Sequence, residues 1–261
     1  MRIVINIVLL LAFGSCTNDQ NNQNISNPIP INTNLISETK DSITIDAPII
    51  ENIEPIYIID TLEQRLIDAG LVNVQDIIPD VLIDVRYSTT NNFMEQDVYG
   101  NLNRIYLQLS VAEDLKKSQA KLKSIDSSLT LLLYDGVRPR SVQQIMWDIL
   151  DMPINEKTKF VSNPKNGSVH NYGAAIDLTI ADTNGVILDM GAGYDDIRKI
   201  AYPRYETAYL DSALLDSIHI QNRKLLRQVM RSGGFWGIQT EWWHFNRYSR
   251  SKSKELFEIL E

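Results

Sequence analysis

The stretch from Ser168 to Asp177, which reads SVHNYGAAID, constrains the fold most strongly because it ties two polar side chains to one reversal of the chain. His170 and Asp177 stand seven residues apart, and a fully extended chain would separate them by roughly 23 Å. Gly173 and the small residues after it let the chain fold back, so both side chains can face one centre. Residues 176–180 then alternate between apolar and polar, which predicts a strand with Asp177 on one face.

One imidazole and one carboxylate do not complete a metal site, so a third ligand has to come from elsewhere in the chain. The chain has three histidines and one cysteine, Cys16, which excludes an internal disulfide framework and a zinc site built from thiolates. His244 lies in the sequence EWWHF, three residues after Glu241. His170, Asp177 and His244 are therefore the candidate ligands of a zinc ion with an open fourth position for water.

Two further residues suit a hydrolytic zinc site. Glu241 is the candidate general base, which takes a proton from a zinc-activated water of pKa roughly 7 and returns it to the leaving amine. A regular strand would point Glu241 and His244 to opposite faces, so we predict an irregular strand there. Arg138 follows a buried strand within the sequence DGVRP, where it can bind a substrate carboxylate or stabilise an oxyanion. An ion pair between Arg138 and Asp135 is the structural alternative.

The fold class follows from composition and hydrophobic periodicity. The 261 residues are 44% hydrophobic, enough for one substantial core, and the net charge of −8 argues against a nucleic-acid partner. Helices are predicted at residues 61–69, 111–123, 141–150 and 210–230, and strands at residues 81–87, 129–134, 176–180, 186–188 and 235–245. We therefore expect a single α+β domain in which a small, mostly antiparallel sheet holds the zinc site and helices flank it.

The first residues of the chain predict export. Residues 3–13 are apolar except for Asn6, and the run is shorter than the ~20 residues needed to span a bilayer. With small residues leading into Cys16, residues 1–16 resemble a bacterial lipoprotein signal lipidated at Cys16; an ordinary secretory signal or a buried helix is the alternative. Residues 17–54 predict a flexible tether, and residues 55–261 the folded domain. We expect a protein anchored to the membrane only through its lipid, facing the periplasm or cell envelope.

Five motifs in sequence order carry a resemblance to a known family. They are IDVRYSTTNNF at residues 83–93, DGVRP at 135–139, SxHxxGxAxD at 168–177, DMGAGYD at 189–195 and EWWHF at 241–245. Together they resemble the zinc D-Ala-D-Ala metallopeptidases, and within these the D-Ala-D-Ala dipeptidases associated with vancomycin resistance and with dipeptide use. The resemblance spans residues 62–260, nearly the whole predicted domain.

The resemblance implies one Zn²⁺ ion per chain, held by His170, Asp177 and His244, and hydrolysis of the D-Ala-D-Ala dipeptide to two D-alanines. It also implies the roles of three further residues: Glu241 as base, Arg138 in stabilising the tetrahedral intermediate and contacting substrate, and Ser168 in holding the small dipeptide. Because an exported enzyme would meet free dipeptide or wall fragments, we expect a role in cell-wall peptide turnover.

Two other functions stay open at this point. One is a D,D-carboxypeptidase that acts on longer peptidoglycan stem peptides, although the dipeptidase motifs favour the smaller substrate. The other is a zinc-containing binding module without catalysis, against which the presence of both Glu241 and Arg138 speaks. Val137 departs from the aromatic residue common at this position in the family, and we expect it to alter the pocket wall without changing catalysis.

Overall fold

The computed structural model describes residues 61–261. Helices are present within this range as α1 (Thr61–Asp68), α2 (Val74–Ile77), α3 (Leu109–Ile125), α4 (Arg140–Ile149), α5 (Ile154–Lys157), α6 (Glu206–Asp211), α7 (Ser217–Ser232) and α8 (Arg250–Leu256). The two longest, α3 and α7, pack against each other. Their contact face carries buried apolar side chains at helical spacing, such as Leu115, Leu122 and Leu226.

The strands of the same range are β1 (Val72–Asn73), β2 (Leu82–Ile83), β3 (Tyr106–Leu107), β4 (Leu129–Asp135), β5 (Ala175–Asp182), β6 (Trp236–Gly237) and β7 (His244–Asn246). Five of them form one sheet in the order β2, β4, β5, β7, β6, while β1 and β3 pair separately. Strand β2 runs parallel to β4, and every other pair in the sheet is antiparallel. The predicted α+β class with a small, mostly antiparallel sheet is confirmed.

The apolar sequence of β4, an interior strand of the sheet, is explained by what covers its two faces. Leu131 and Leu133 lie in the main core, whereas Leu132 and Tyr134 pack on the opposite face of the sheet in a smaller cluster with Ala181. Because both faces are covered, the strand needs no alternation of polar residues. Towards its end the register with β5 shifts, and Asp135 then lies opposite Asp177. The pairing of β4 with β5 thereby brings two acidic residues next to each other.

The strand predicted at residues 81–87 is shorter than expected. Only Leu82–Ile83 pairs with β4, and after one more hydrogen bond from Asp84 the chain turns at Arg86–Ser88. The turn buries the ring of Tyr87 against three other aromatic side chains, those of Phe93, Tyr99 and Tyr194. The alternating sequence suits a strand, but this long-range aromatic packing favours the turn.

The helix predicted at residues 210–230 is interrupted. Helix α6 ends at Asp211 and α7 starts at Ser217, with Ala213 between them at a φ of 55°. The backbone of Asp216 donates to Nδ1 of His219 at 3.0 Å, which fixes the start of α7. The hydrophobic spacing hides this break because the connecting segment also buries a leucine.

Two predicted strands are also shorter in the structure. Residues 186–188 contribute a single bridge, between Ile187 and Ala181. Residues 235–245 form no continuous strand, because β6 and the start of β7 are separated by a bent segment and pair with each other. Since β6 and β7 pair antiparallel, the chain has to reverse its direction between them. The aromatic residues of this segment do not reveal that reversal.

The N-terminal predictions lie outside the described residues. They comprise the signal at residues 1–16 with its lipidation site Cys16, the tether at residues 17–54 and the first residues of the domain predicted to start at residue 55. Across residues 61–261, none of the helices combines the length and the apolar character needed to cross a membrane.

Candidate active site

The predicted turn between His170 and Asp177 forms as a single tight 3₁₀ turn at His170–Tyr172, followed by β5. Gly173 ends the turn in the left-handed conformation, at a φ of 63°. A Cβ at this position would lie 3.0 Å from the side chain of Leu71, so a larger residue would be strained as well as crowded. The reversal brings Nε2 of His170 to 3.4 Å from Oδ1 of Asp177.

The third candidate ligand arrives through sheet pairing. His244 opens β7 and lies directly opposite Asp177 on β5. Its Nδ1 atom is 3.0 Å from Oδ1 of Asp177 and 3.1 Å from Nε2 of His170. The structure therefore brings all three sequence-predicted ligands to one point, and His170 and Asp177 are almost fully buried there.

The outer hydrogen bonds of the two histidines decide which atoms face this point. Nδ1 of His170 lies 2.6 Å from the carbonyl oxygen of Gly136, which can only accept, so Nδ1 carries the proton and Nε2 presents a lone pair. Nε2 of His244 lies 3.0 Å from Oδ1 of Asn246, so when this ring is neutral its proton lies on Nε2 and its Nδ1 presents a lone pair. Two nitrogen lone pairs and a carboxylate oxygen thus converge, which fits a zinc ion held by nitrogen and oxygen ligands.

The electrostatics of this point favour a positive charge. Burial lowers the pKa of His244, but the hydrogen bond and charge of Asp177 outweigh this effect and raise the pKa to about 9. For Asp177 burial acts in the opposite direction and raises the pKa. The charges and hydrogen bonds of His170 and His244 outweigh this effect and hold the pKa of Asp177 well below its usual range. A cation is therefore stabilised where the three side chains meet.

Arg138 lies beside the candidate ligands, at the end of β4. Its Nε and Nη2 atoms donate to Oδ2 of Asp135 at 3.0 Å and 2.5 Å, and Nη2 is 3.8 Å from Oδ2 of Asp177. The hydroxyl of Tyr99 donates to the other oxygen of Asp135 at 2.7 Å. The ion pair with Asp135 that sequence offered as an alternative does exist, and it holds the guanidinium at the site.

Gly136, between these two residues, permits the arrangement. A Cβ there would lie 2.6 Å from the carbonyl oxygen of Tyr106, closer than real side chains approach a backbone. The carbonyl of Gly136 is also the acceptor that orients His170. The turn after β4 therefore positions both a cation and a candidate metal ligand.

Glu241 is placed by the predicted irregularity. Residues 241–243 bend before β7 starts at His244, and Oε2 of Glu241 lies 3.9 Å from Nδ1 of His244. The bend is fixed by two tryptophans, Trp242 and Trp243, whose rings are buried and meet edge to face. Burial raises the pKa of Glu241, while 30% of its side chain stays accessible and can be reached by a water molecule.

Ser168 lies in the wall of the same cleft and is nearly buried. Its hydroxyl donates to Oε1 of Gln143 at 2.9 Å, and the same oxygen accepts from the amide of Asn171 at 2.9 Å. The donor of Ser168 is thus engaged, which leaves its oxygen able to act only as an acceptor.

Asp195 is a site residue that the sequence analysis did not single out, although it ends the DMGAGYD motif. It lines the cleft, and its Oδ1 accepts a hydrogen bond from the hydroxyl of Tyr87 at 3.1 Å. Its Oδ2 is buried and has no partner within residues 61–261. Burial, followed by the charge of Asp177, raises the pKa of Asp195 to about 8. An acid that ends a motif of small residues was the available signal.

The third histidine, His219, has a structural role in the first turn of α7. Nε2 of His219 lies 3.1 Å from Oδ2 of Asp189, and its Nδ1 accepts from the start of α7. It takes no part in the cleft.

Comparison with known proteins agrees with these motifs. The profile of a family described as D-Ala-D-Ala dipeptidase matches residues 67–259. The chain is 35% identical over 175 residues to a D-alanyl-D-alanine dipeptidase of Escherichia coli. This alignment covers 67% of this chain and 83% of that protein. It is 30% identical over 194 residues to a protein of the same name from Enterococcus faecium, which covers 68% and 91% respectively. The chain therefore belongs to the D-Ala-D-Ala dipeptidase family, a family of peptidases.

Proposed function

We propose that this protein is a zinc metallopeptidase that hydrolyses D-Ala-D-Ala to two molecules of D-alanine. The observation that carries the proposal is the convergence of two imidazole lone pairs and a carboxylate oxygen at one buried point, next to a free carboxylate and a guanidinium. The names of the similar proteins from Escherichia coli and Enterococcus faecium support this substrate.

One Zn²⁺ ion would be held by His170, Asp177 and His244, through Nε2, a carboxylate oxygen and Nδ1. When bound, such an ion acts as a Lewis acid, which lowers the pKa of water and polarises a carbonyl group. Gly136 and Asn246 keep the two imidazoles in the tautomers that this requires.

Glu241 accepts the proton of the attacking water and delivers it to the nitrogen of the leaving D-alanine. Its carboxylate is close to the candidate metal position but is not one of the three converging groups. Burial raises the pKa of Glu241 towards neutral pH, and a general base and acid works best when its pKa is close to the working pH.

Arg138 stabilises the negative charge that develops on the scissile carbonyl oxygen. Burial lowers the pKa of a guanidinium, but Asp135 and the surrounding phenols outweigh this and raise it, so the group stays charged. The bonds to Asp135 hold it in place before substrate arrives, and preorganised charge of this kind needs no rearrangement during the reaction.

Asp195 and Ser168 bind the dipeptide at its polar groups. The Oδ2 atom of Asp195, which has no hydrogen-bond partner among the described residues, is suited to the substrate ammonium. The charge of the ammonium would lower the pKa of this carboxyl group and relieve the cost of burying it. The oxygen of Ser168 accepts a hydrogen bond from the substrate, because its own proton is donated to Gln143.

The purified protein is expected to release D-alanine from D-Ala-D-Ala, to lose at least 99% of this activity after chelation, and to regain it with Zn²⁺. The measurement is D-alanine release, with L-Ala-L-Ala as the control substrate. Activity that persists in the metal-free protein would contradict the proposal. Faster turnover of a stem pentapeptide than of the free dipeptide would favour the D,D-carboxypeptidase.

We further propose that the protein is exported and lipidated at Cys16, and that it serves cell-wall peptide turnover. The support is the sequence alone: an apolar run that leads through small residues to the single cysteine. Cys16→Ser is expected to abolish incorporation of a labelled fatty acid and to release the protein from the membrane fraction, whereas Ser15→Ala should do neither. Continued labelling of the Cys16→Ser protein would exclude this anchor.

A further inference from the structure

A zwitterionic dipeptide needs a cation for its carboxylate as well as an anion for its ammonium. In the proposed mechanism Arg138 is engaged by Asp135 and directed at the scissile carbonyl. The substrate carboxylate, at the far end of the leaving D-alanine, therefore requires a second positive group. The inference rests on the proposed function and concerns how the same cleft recognises its substrate.

The cleft has two other cations in its wall, Lys159 and Arg250. Lys159 is paired with Glu156 on the neighbouring helix α5. Arg250 has neither an ion pair nor a side-chain hydrogen bond to any residue in the range 61–261. It is the cation of the cleft whose charge the described part of the chain leaves unbalanced.

The backbone that carries Arg250 is fixed to the candidate metal centre. Strand β7 ends at Asn246, the residue that orients His244, and the next residue donates its N–H to the carbonyl of Ala174 at 2.9 Å. Ser249 then caps α8, whose first residue is Arg250, by accepting from the backbone of Lys252 at 3.2 Å. A short and hydrogen-bonded connection thus holds the base of this side chain at the edge of the cleft.

We propose that Arg250 binds the carboxylate of the substrate and so determines specificity for a free C-terminus. The exposed guanidinium closes over the cleft when a carboxylate enters, and its planar fork suits two parallel hydrogen bonds. Asp195 and Arg250 then recognise the two charged ends of the dipeptide from different parts of the wall. Arg250 is a binding residue, since no step of bond cleavage requires it.

The test compares D-Ala-D-Ala with its C-terminal amide, which keeps the scissile bond and lacks the negative charge. Arg250→Gln is expected to lower kcat/KM for the acid roughly tenfold to hundredfold, mainly through KM, and to leave the amide nearly unchanged. Arg250→Lys should recover part of the loss. Lys254→Gln, one turn later on α8 and outside the cleft, is the matched control and should change neither substrate.

Binding separates this inference from the proposed function. In a Glu241→Gln background, calorimetry measures the affinity for the acid and the amide with and without Arg250→Gln. A preference for the acid that disappears with Arg250→Gln supports the inference, even if the parent protein shows no turnover. The lack of turnover would contradict only the proposed function. Equal losses on acid and amide, no loss at all, or no binding of the acid would overturn the assignment of Arg250.

Discussion

On D-Ala-D-Ala, the Glu241→Gln variant is expected to turn over about a thousandfold more slowly than the parent, with little change in KM. Glutamine has the shape of glutamate but cannot accept the proton of the attacking water, and general acid–base catalysis contributes roughly 10²–10⁴ in rate. The three converging ligand groups do not include Glu241, so the zinc content should stay at one ion per chain. The measurement is kcat together with the metal content of the same preparation.

The pH profile provides a second readout for Glu241. The carboxylate has to be deprotonated to act as a base, so activity falls as the pH drops through its pKa. Burial raises this pKa, and the acid limb is expected above the ordinary value of about 4.3 for a glutamate. Gln239→Ala, on an exposed side chain in the same segment, should retain the parent rate. An activity within tenfold of the parent in Glu241→Gln would place the base elsewhere, and Asp195 would then be the next residue to substitute.

The parts of the site that sequence predicts are those with a local signal or a demanding chemistry. His170 and Asp177 are linked by a short turn whose glycine has a positive φ, so their convergence is encoded within ten residues. His244 has no local link to them, and its prediction came from the need for a third ligand in a chain with three histidines. The irregular strand at Glu241 likewise follows from the side on which a base must lie.

The parts that sequence does not predict depend on distant contacts. Asp195 lies in the cleft beside Tyr87, which is 108 positions earlier in the chain and donates a hydrogen bond to it. His244 meets Asp177, 67 positions earlier in the chain, only through the pairing of β5 with β7. Hydrophobic periodicity reports which face of a segment is buried, and it carries no information about either contact.

Arg138→Lys is expected to lower kcat by about 10²–10³ while the protein still folds. A lysine keeps the positive charge, but all its donors are on one nitrogen. It therefore cannot hold Asp135 through two nitrogens and also reach the reacting carbonyl. Losing one donor aimed at a developing oxyanion has an effect of this size. Arg138→Ala is a poorer test, since it leaves the buried Asp135 unpaired and is expected to cost about 3–5 kcal/mol of stability.

The control for Arg138→Lys has to be an arginine in a similar ion pair away from the cleft. Arg227 meets this need, because two of its nitrogens each donate to the largely buried Glu206 at 2.8 Å and it does not line the cleft. Arg227→Lys should lower the thermal midpoint by a similar amount without the loss in kcat. If Arg138→Lys lowers the thermal midpoint as much as the control but keeps the parent kcat, Arg138 serves only to neutralise Asp135. A loss of kcat with an unchanged affinity for Zn²⁺ would instead assign the guanidinium to the transition state, because the neighbouring candidate ligand Asp177 would then be unaffected.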